Sequence, residues 1–214
     1  MRVASIIARL TVSEYAAATL INVVRYAITG SSGFYANDAE LLQLAARWAA
    51  DSVNFVQLRA KHLDAGPLTA LARKLLAVLD PQTKLLINGR VDVAIAAGAA
   101  GVHLTAAPNE LTPQQVRRIF AFAEQPQPVI SVSCHTLAEV KRARDEQVDL
   151  ILFGPVFEKR LKGEIVVEGV GLEMLQHACE LAPGKVLALG GVTETNTREC
   201  VEAGAGISGI RLFN

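Results

Sequence analysis

Short apolar runs alternate along this chain with longer segments whose apolar residues recur at helical spacing. The runs fall at residues 25–29, 55–59, 85–87, 102–104, 129–132, 150–153, 186–189 and 207–212. Each is bounded by polar or turn-forming residues, as buried strands are. The helix-spaced segments are 39–51, 67–79, 91–97, 113–120, 137–147, 172–182 and 195–203. The unit at 85–104 shows the repeat most compactly. A strand at 85–87 leads through the turn Asn88, Gly89, Arg90 into a helix carrying Val91, Ala94, Ile95 and Ala97. Gly98 or Gly101 ends that helix, and Val102 opens the next strand. Helices this short between apolar strands imply right-handed crossovers and a parallel sheet. Strand starts every ~20 to 35 residues suit a βα repeat, and eight strands suit a closed (β/α)8 TIM barrel of α/β class. A doubly wound sheet is the alternative architecture, but residues 29–33, Thr-Gly-Ser-Ser-Gly, lack the spacing of a dinucleotide or P-loop phosphate turn.

No Pro/Gly/Ser-rich linker divides the chain, so one domain is expected over 23–214, with residues 1–22 as an N-terminal extension. The chain stops just after the eighth run, so the final barrel helix is truncated or replaced by that extension. Hydrophobic residues make up 51% and charged residues 20%, which supports a large core. Lys+Arg 21 against Asp+Glu 21 gives zero net charge. That balance argues against nucleic acid as a partner and leaves local positive clusters for a small anion. No stretch reads as a membrane span. Cys134, Cys179 and Cys200, an odd count with no CxxC spacing, read as reduced thiols of a cytoplasmic protein.

In a barrel the chemistry lies at the carboxyl ends of the strands. Alternation along the second strand puts Gln57, Arg59 and Lys61 on one face, costly for a buried strand unless they meet a ligand or each other. The seventh strand ends at Gly190 and Gly191, whose backbone N–H groups can approach an anion closely. His135 follows the fifth strand, where Ser133 or Thr136 can cap the next helix. It is either a proton carrier or an exposed bystander. The facing of His103, at the end of the fourth strand, stays open. The sixth strand leads into a longer loop holding Lys159, Arg160 and Lys162. The first two read best as a solvated face, though the cluster could close over an anion.

Seven stretches in order resemble the thiamine phosphate synthase/TenI family of (β/α)8 barrels. They are VQLRAK at 56–61, NGRVD at 88–92, GVHL at 101–104, SVSCHT at 131–136, FGPVF at 153–157, GVGL at 169–172 and LGGVT at 189–193. The resemblance implies thiamine biosynthesis with a thiazole phosphate ligand. In the synthase branch, a pyrimidine pyrophosphate is joined to the thiazole phosphate as pyrophosphate leaves with Mg²⁺. That branch carries an Asp after the Asn of the third strand and another after the fourth. Here Gly89 holds the first position, and the loop 105–111 offers only Glu110.

The TenI branch shares NGRVD and a histidine after the fifth strand. It therefore implies a thiazole tautomerase, which shifts a proton without metal or other cofactor. On that reading His135 and Lys61 are catalytic. Gln57, Arg59, Asn88, Ser133 and Lys162 bind substrate, and Gly190, Gly191 and Arg211 hold phosphate. The tautomerase is the leading expectation. Synthase activity with Mg²⁺ and a non-catalytic thiazole phosphate-binding protein are the alternatives, and a homodimer is compatible with either.

Overall fold

A computed structural model describes residues 23–30, 35–107, 109–161 and 164–213. The extension at 1–22 and Lys162 lie outside them. All eight expected strands close into one parallel barrel. In chain order its elements are β1 (Arg25–Ile28), α1 (Asp38–Ala50), β2 (Phe55–Leu58), α2 (Ala65–Val78), β3 (Lys84–Asn88), α3 (Val91–Ala97), β4 (Gly101–Leu104), α4 (Pro113–Phe122), β5 (Val129–Cys134), α5 (Leu137–Asp145) and β6 (Leu150–Phe153). There follow β7 (Lys159–Leu161), β8 (Glu164–Val167), α6 (Gly171–Leu181), β9 (Val186–Ala188), α7 (Thr197–Glu202) and β10 (Gly206–Gly209). Around the barrel the strands run β1, β10, β9, β6, β5, β4, β3, β2. The segment after β6, expected as an open loop, instead folds into an antiparallel hairpin of β7 and β8. β7 carries two cations in three residues, so no apolar run marked it as a strand.

Alternation on each strand sorts the apolar side chains into two clusters. Trp48, Leu75, Ile87, Val102, Ile151, Leu175 and their neighbours fill the layer between strands and helices. Tyr26, Ile28, Leu86, Leu150, Leu152 and Leu187 fill the barrel interior, joined by Phe55, Val129, Leu189 and Ile210. A TIM barrel is filled by layers of inward side chains in this way and is no open pore.

The helix starts carry the caps their sequences call for. Thr112 and Gln115 form a capping box with Pro113 at the first turn of α4, and Thr136 and Glu139 form another on α5. Thr136, rather than Ser133, therefore caps α5. Gly98 at φ 77 ends α3.

Among the described residues no helix follows β10. Leu212 and Phe213 pack against the outer cluster in its place. The indole N–H of Trp48 donates to the Phe213 carbonyl at 2.7 Å, and the Arg25 guanidinium lies 5.2 Å from the Phe213 ring centroid. A four-residue return thus ties the end of β10 back to α1 and β1.

Candidate active site

The register across the barrel places Asn88 opposite His103 and His103 opposite Ser131. Tyr26, Gln57, His103 and Ser131 are buried, and they meet in one hydrogen-bonded chain. The Tyr26 hydroxyl donates to Gln57 Oε1 at 3.2 Å, and Gln57 Nε2 donates to Asn88 Oδ1 at 2.9 Å. Tyr26 also meets Ser131 Oγ at 2.9 Å. His103 spans two serines, with Nδ1 at 2.9 Å from Ser131 Oγ and Nε2 at 3.0 Å from Ser133 Oγ. No buried side-chain N or O among the described residues lacks a partner, so this polar layer is affordable in an apolar interior. Burial, reinforced by the Arg59 charge, pushes the His103 imidazole down to about 3. His103 is therefore neutral near pH 7. Burial drives the Tyr26 hydroxyl well above the usual phenol range, so it stays protonated.

His103 faces the interior, which its sequence left open. Tyr26 and Ser131 are members of the site that sequence reasoning missed. The signal was present for Ser131, which shares a strand face with Ser133 at period two.

The expected trio on the second strand divides. Gln57 is buried in the polar layer, and Arg59 is half-buried with its backbone N–H bonded to Thr29 Oγ1 at 2.8 Å. Lys61 is exposed in the turn beyond β2, past the reach of strand alternation. There it joins a second group. A cleft of about 310 Å³ at the rim is lined by Lys61, Asn88, Gly89, Arg90 and Glu110, among others.

Gly89 sits at φ 62, and a Cβ built on it would lie 3.7 and 3.8 Å from the two Glu110 carboxylate oxygens. Glu110 Oε2 accepts from Thr105 N at 3.2 Å and from Thr105 Oγ1 at 2.9 Å. Glu110 is thus a member of this rim, and Thr112 caps α4 beyond it. Arg90 is gripped by Asp92 at 2.9 and 2.6 Å, and this pairing holds the Asp92 carboxyl below its usual range.

His135 is exposed at the top of β5. Glu139 accepts from the N–H groups of His135 and Thr136, which pins the turn. The His135 Nδ1 lies 2.5 Å from the Gly154 carbonyl. A carbonyl only accepts, so Nδ1 carries the proton and Nε2 is the basic nitrogen of the neutral ring.

Gly190 and Gly191 sit at φ 90 and 67. A Cβ on Gly190 would lie 2.6 Å from Pro155 Cβ, and one on Gly191 2.6 Å from Phe157 Cβ. Only glycine lets this turn pack under the segment after β6. Among the described residues no hydrogen bond uses the N–H of either glycine. Arg211 is exposed in the return that leads to Phe213.

Residues 25–212 match the family described as thiamine monophosphate synthase, TMP-TENI. The chain belongs to this family. It is 36% identical over 161 residues to the thiamine-phosphate synthase of Thermus thermophilus, covering 74% of this chain and 73% of that protein. It is 32% identical over 169 residues to the thiamine-phosphate synthase of Koribacter versatilis, covering 78% and 76%. Its fold superimposes on a thiamine phosphate pyrophosphorylase from Pyrococcus furiosus with TM-score 0.71, over 88% of this chain and 85% of the other at 24% identity. Membership in TMP-TENI places the chain among enzymes of thiamine biosynthesis and agrees with the closed parallel barrel. The relatives' names favour the transferase over the isomerase that NGRVD and His135 had put first.

Among the described residues no three His, Cys, Asp or Glu side chains gather as a metal site. Mg²⁺ needs fewer protein ligands when substrate phosphates complete its shell. Both hydrogen bonds to Glu110 fall on Oε2, so Oε1 is the carboxylate oxygen that fits such an ion.

Proposed function

We propose that this chain is a thiamine-phosphate synthase, joining a pyrimidine pyrophosphate to a thiazole phosphate with loss of pyrophosphate. The observation that carries this reading is the rim cleft, where the Lys61 ammonium and the Glu110 carboxylate share one wall system with Asn88. A diphosphate binds where a fixed cation and an oxygen donor for a divalent ion lie side by side. Glu110 would hold Mg²⁺ together with the substrate's phosphate oxygens, and the ion would draw charge from the departing pyrophosphate. Lys61 neutralises the same group, and Arg59 supplies a second cation from the end of β2. Gln57 and Asn88, locked to each other, form the wall against which the ring rests. The free N–H groups of Gly190 and Gly191 take the thiazole phosphate from across the mouth. Binding both substrates over one barrel end turns a bimolecular displacement into a positioned one.

A metal-free tautomerase is the second reading, favoured by His135. Its Nδ1–H bond to Gly154 leaves Nε2 as a ready proton acceptor. One experiment separates the two. Supplied with pyrimidine pyrophosphate and thiazole phosphate, the protein is expected to release pyrophosphate with Mg²⁺ and to stop with EDTA. Conversion of an unaromatised thiazole carboxylate phosphate that survives EDTA and falls in His135→Gln, without coupling, would establish the second reading instead.

A further inference from the structure

Just past β2 the chain forms a wall between two cavities. Leu58, Ala60 and Leu63 line the rim cleft of Lys61 and Glu110 on one side. On the other side they line a second cavity of about 270 Å³, held between α1, α2 and the ends of β1 and β2. Successive residues turn opposite ways, Lys61 into the rim cleft and His62 into the second cavity. The synthase reading makes no use of this second space. Its floor is apolar, with Leu41 and Leu71 joining the three wall residues. At its edge Asp38 is already paired with Lys74 at 3.0 Å. What remains is a small set of donors. Thr29 is 1% exposed and its Oγ1 accepts from the Arg59 N–H, while among the described residues nothing takes its hydroxyl hydrogen. Asn37 gives its side-chain oxygen to the Glu40 N–H as the cap of α1, which leaves its amide NH₂ as a donor. An apolar cavity with a few convergent polar groups is the usual form of a small-molecule site.

We infer that this cavity is an effector site for a small uncharged molecule with an apolar body and one hydrogen-bond acceptor, coupled to the rim cleft through the wall they share. The aliphatic floor calls for the apolar body, and the Thr29 hydroxyl hydrogen calls for the acceptor. An ion would lose its water there without an unpaired carboxylate or ammonium to meet it. Thr29 also links the two sides, because it lines the cavity and holds the backbone of Arg59. A ligand packed behind the wall favours the arrangement in which Lys61 lines the cleft. It therefore raises the affinity of the cleft for a diphosphate, and by linkage the diphosphate raises that of the ligand. This coupling rests on the reading of the rim cleft as the pyrophosphate site. The ligand chemistry of the cavity does not.

The probe is acetophenone, an uncharged aromatic ketone, and the control is α-methylstyrene, in which CH₂ replaces the carbonyl oxygen. Amide spectra of nitrogen-15-labelled protein titrated with acetophenone are expected to show saturable shifts at Leu41, Leu58 and His62, half-complete below about 10 mM. Wild type should bind acetophenone about tenfold more tightly than α-methylstyrene, the worth of one hydrogen bond. Thr29→Val should lose that preference and keep its affinity for α-methylstyrene, which also shows that it folds. Leu41→Phe fills the cavity and should abolish binding of both, with thermal unfolding to confirm its fold. Shifts that do not saturate in wild type, or that persist in Leu41→Phe, would overturn the site. Equal affinity of wild type for the two probes would overturn the assigned acceptor. Inorganic pyrophosphate with Mg²⁺ should bind about fivefold more tightly at saturating acetophenone. An unchanged affinity would overturn the coupling. If pyrophosphate binds in neither case, the synthase reading fails, while the acetophenone shifts still decide the cavity.

Discussion

The two halves of the barrel mouth are built from different materials. From β2 to β5 the mouth end of the interior wall carries the polar side chains Gln57, Asn88, His103, Ser131 and Ser133, each held by another, while Phe55, Leu86 and Val129 lie earlier on the same strands. From β6 through β9 to β10 the interior side chains are mainly Leu150, Leu152, Leu187, Leu189 and Ile210, and the buried Ser208 hydroxyl is spent on the Ala188 carbonyl at 2.7 Å. The polar work there falls to the backbone at Gly190 and Gly191. One half recognises by donors and acceptors whose direction is fixed. The other recognises by shape and by N–H groups that the absence of a side chain exposes. A ring with distinct nitrogens suits the first half, and a phosphate, which accepts from any side, suits the second.

Substitutions should break the two halves in different ways. The largest effect is expected at Gly190→Ala, where positive φ and the contact with Pro155 add. The strain of a left-handed residue and of overpacking together cost about 3 kcal/mol. Thermal unfolding should show this loss, and calorimetry should show thiazole phosphate binding lost with it. Tyr26→Phe should follow at about 2 kcal/mol, because it strands acceptors and donors on Gln57 and Ser131 inside the barrel. Chemical denaturation should register that cost, with the loss of pyrimidine pyrophosphate affinity exceeding that of thiazole phosphate affinity.

Acid sharpens the contrast, since the polar half alone holds a buried histidine. His103 has a folded value near 3 against 6.5 for a free imidazole. Its contribution is complete above pH 6.5 and is lost as the pH falls, because the unfolded chain takes up the proton first. The loss runs at about 1.4 kcal/mol per pH unit and ends near the folded value. Comparing denaturation at pH 7 and pH 5 in wild type and His103→Asn should show a shallower slope in the variant. The smallest effect is expected from Thr136→Ala, about 1 kcal/mol for a lost cap on α5. It loosens the turn that carries His135 and should leave coupling activity nearly intact on the synthase reading.

The barrel was legible because each strand is a short apolar run and each helix is marked by spacing and caps, as at Thr112 and Thr136. The β7–β8 hairpin was not, since Lys159 and Arg160 make β7 read as a charged loop rather than an apolar run. In the site, Gln57, Asn88 and the Gly190–Gly191 turn could be read from their places at strand ends. Tyr26 and Ser131 could not be singled out, because a buried Tyr or Ser reads as core until its partners on other strands are known. Lys61 continued the alternation of β2 in the sequence, yet the strand ends at Leu58 and a turn carries the lysine to the rim. The closeness of Glu110 to Gly89 depends on how the loop after β4 folds across the neighbouring turn, which no local pattern encodes.

The most direct test of the rim cleft of Lys61 and Glu110, beside the polar wall, as the pyrophosphate site is the Mg²⁺ dependence of pyrophosphate release in wild type and Glu110→Gln. The variant is expected to need at least ~10 times more Mg²⁺ for half-maximal rate, as loss of one charged ligand implies. Its affinity for thiazole phosphate should not change. An unchanged Mg²⁺ requirement in Glu110→Gln would contradict the assignment of this rim to the departing pyrophosphate.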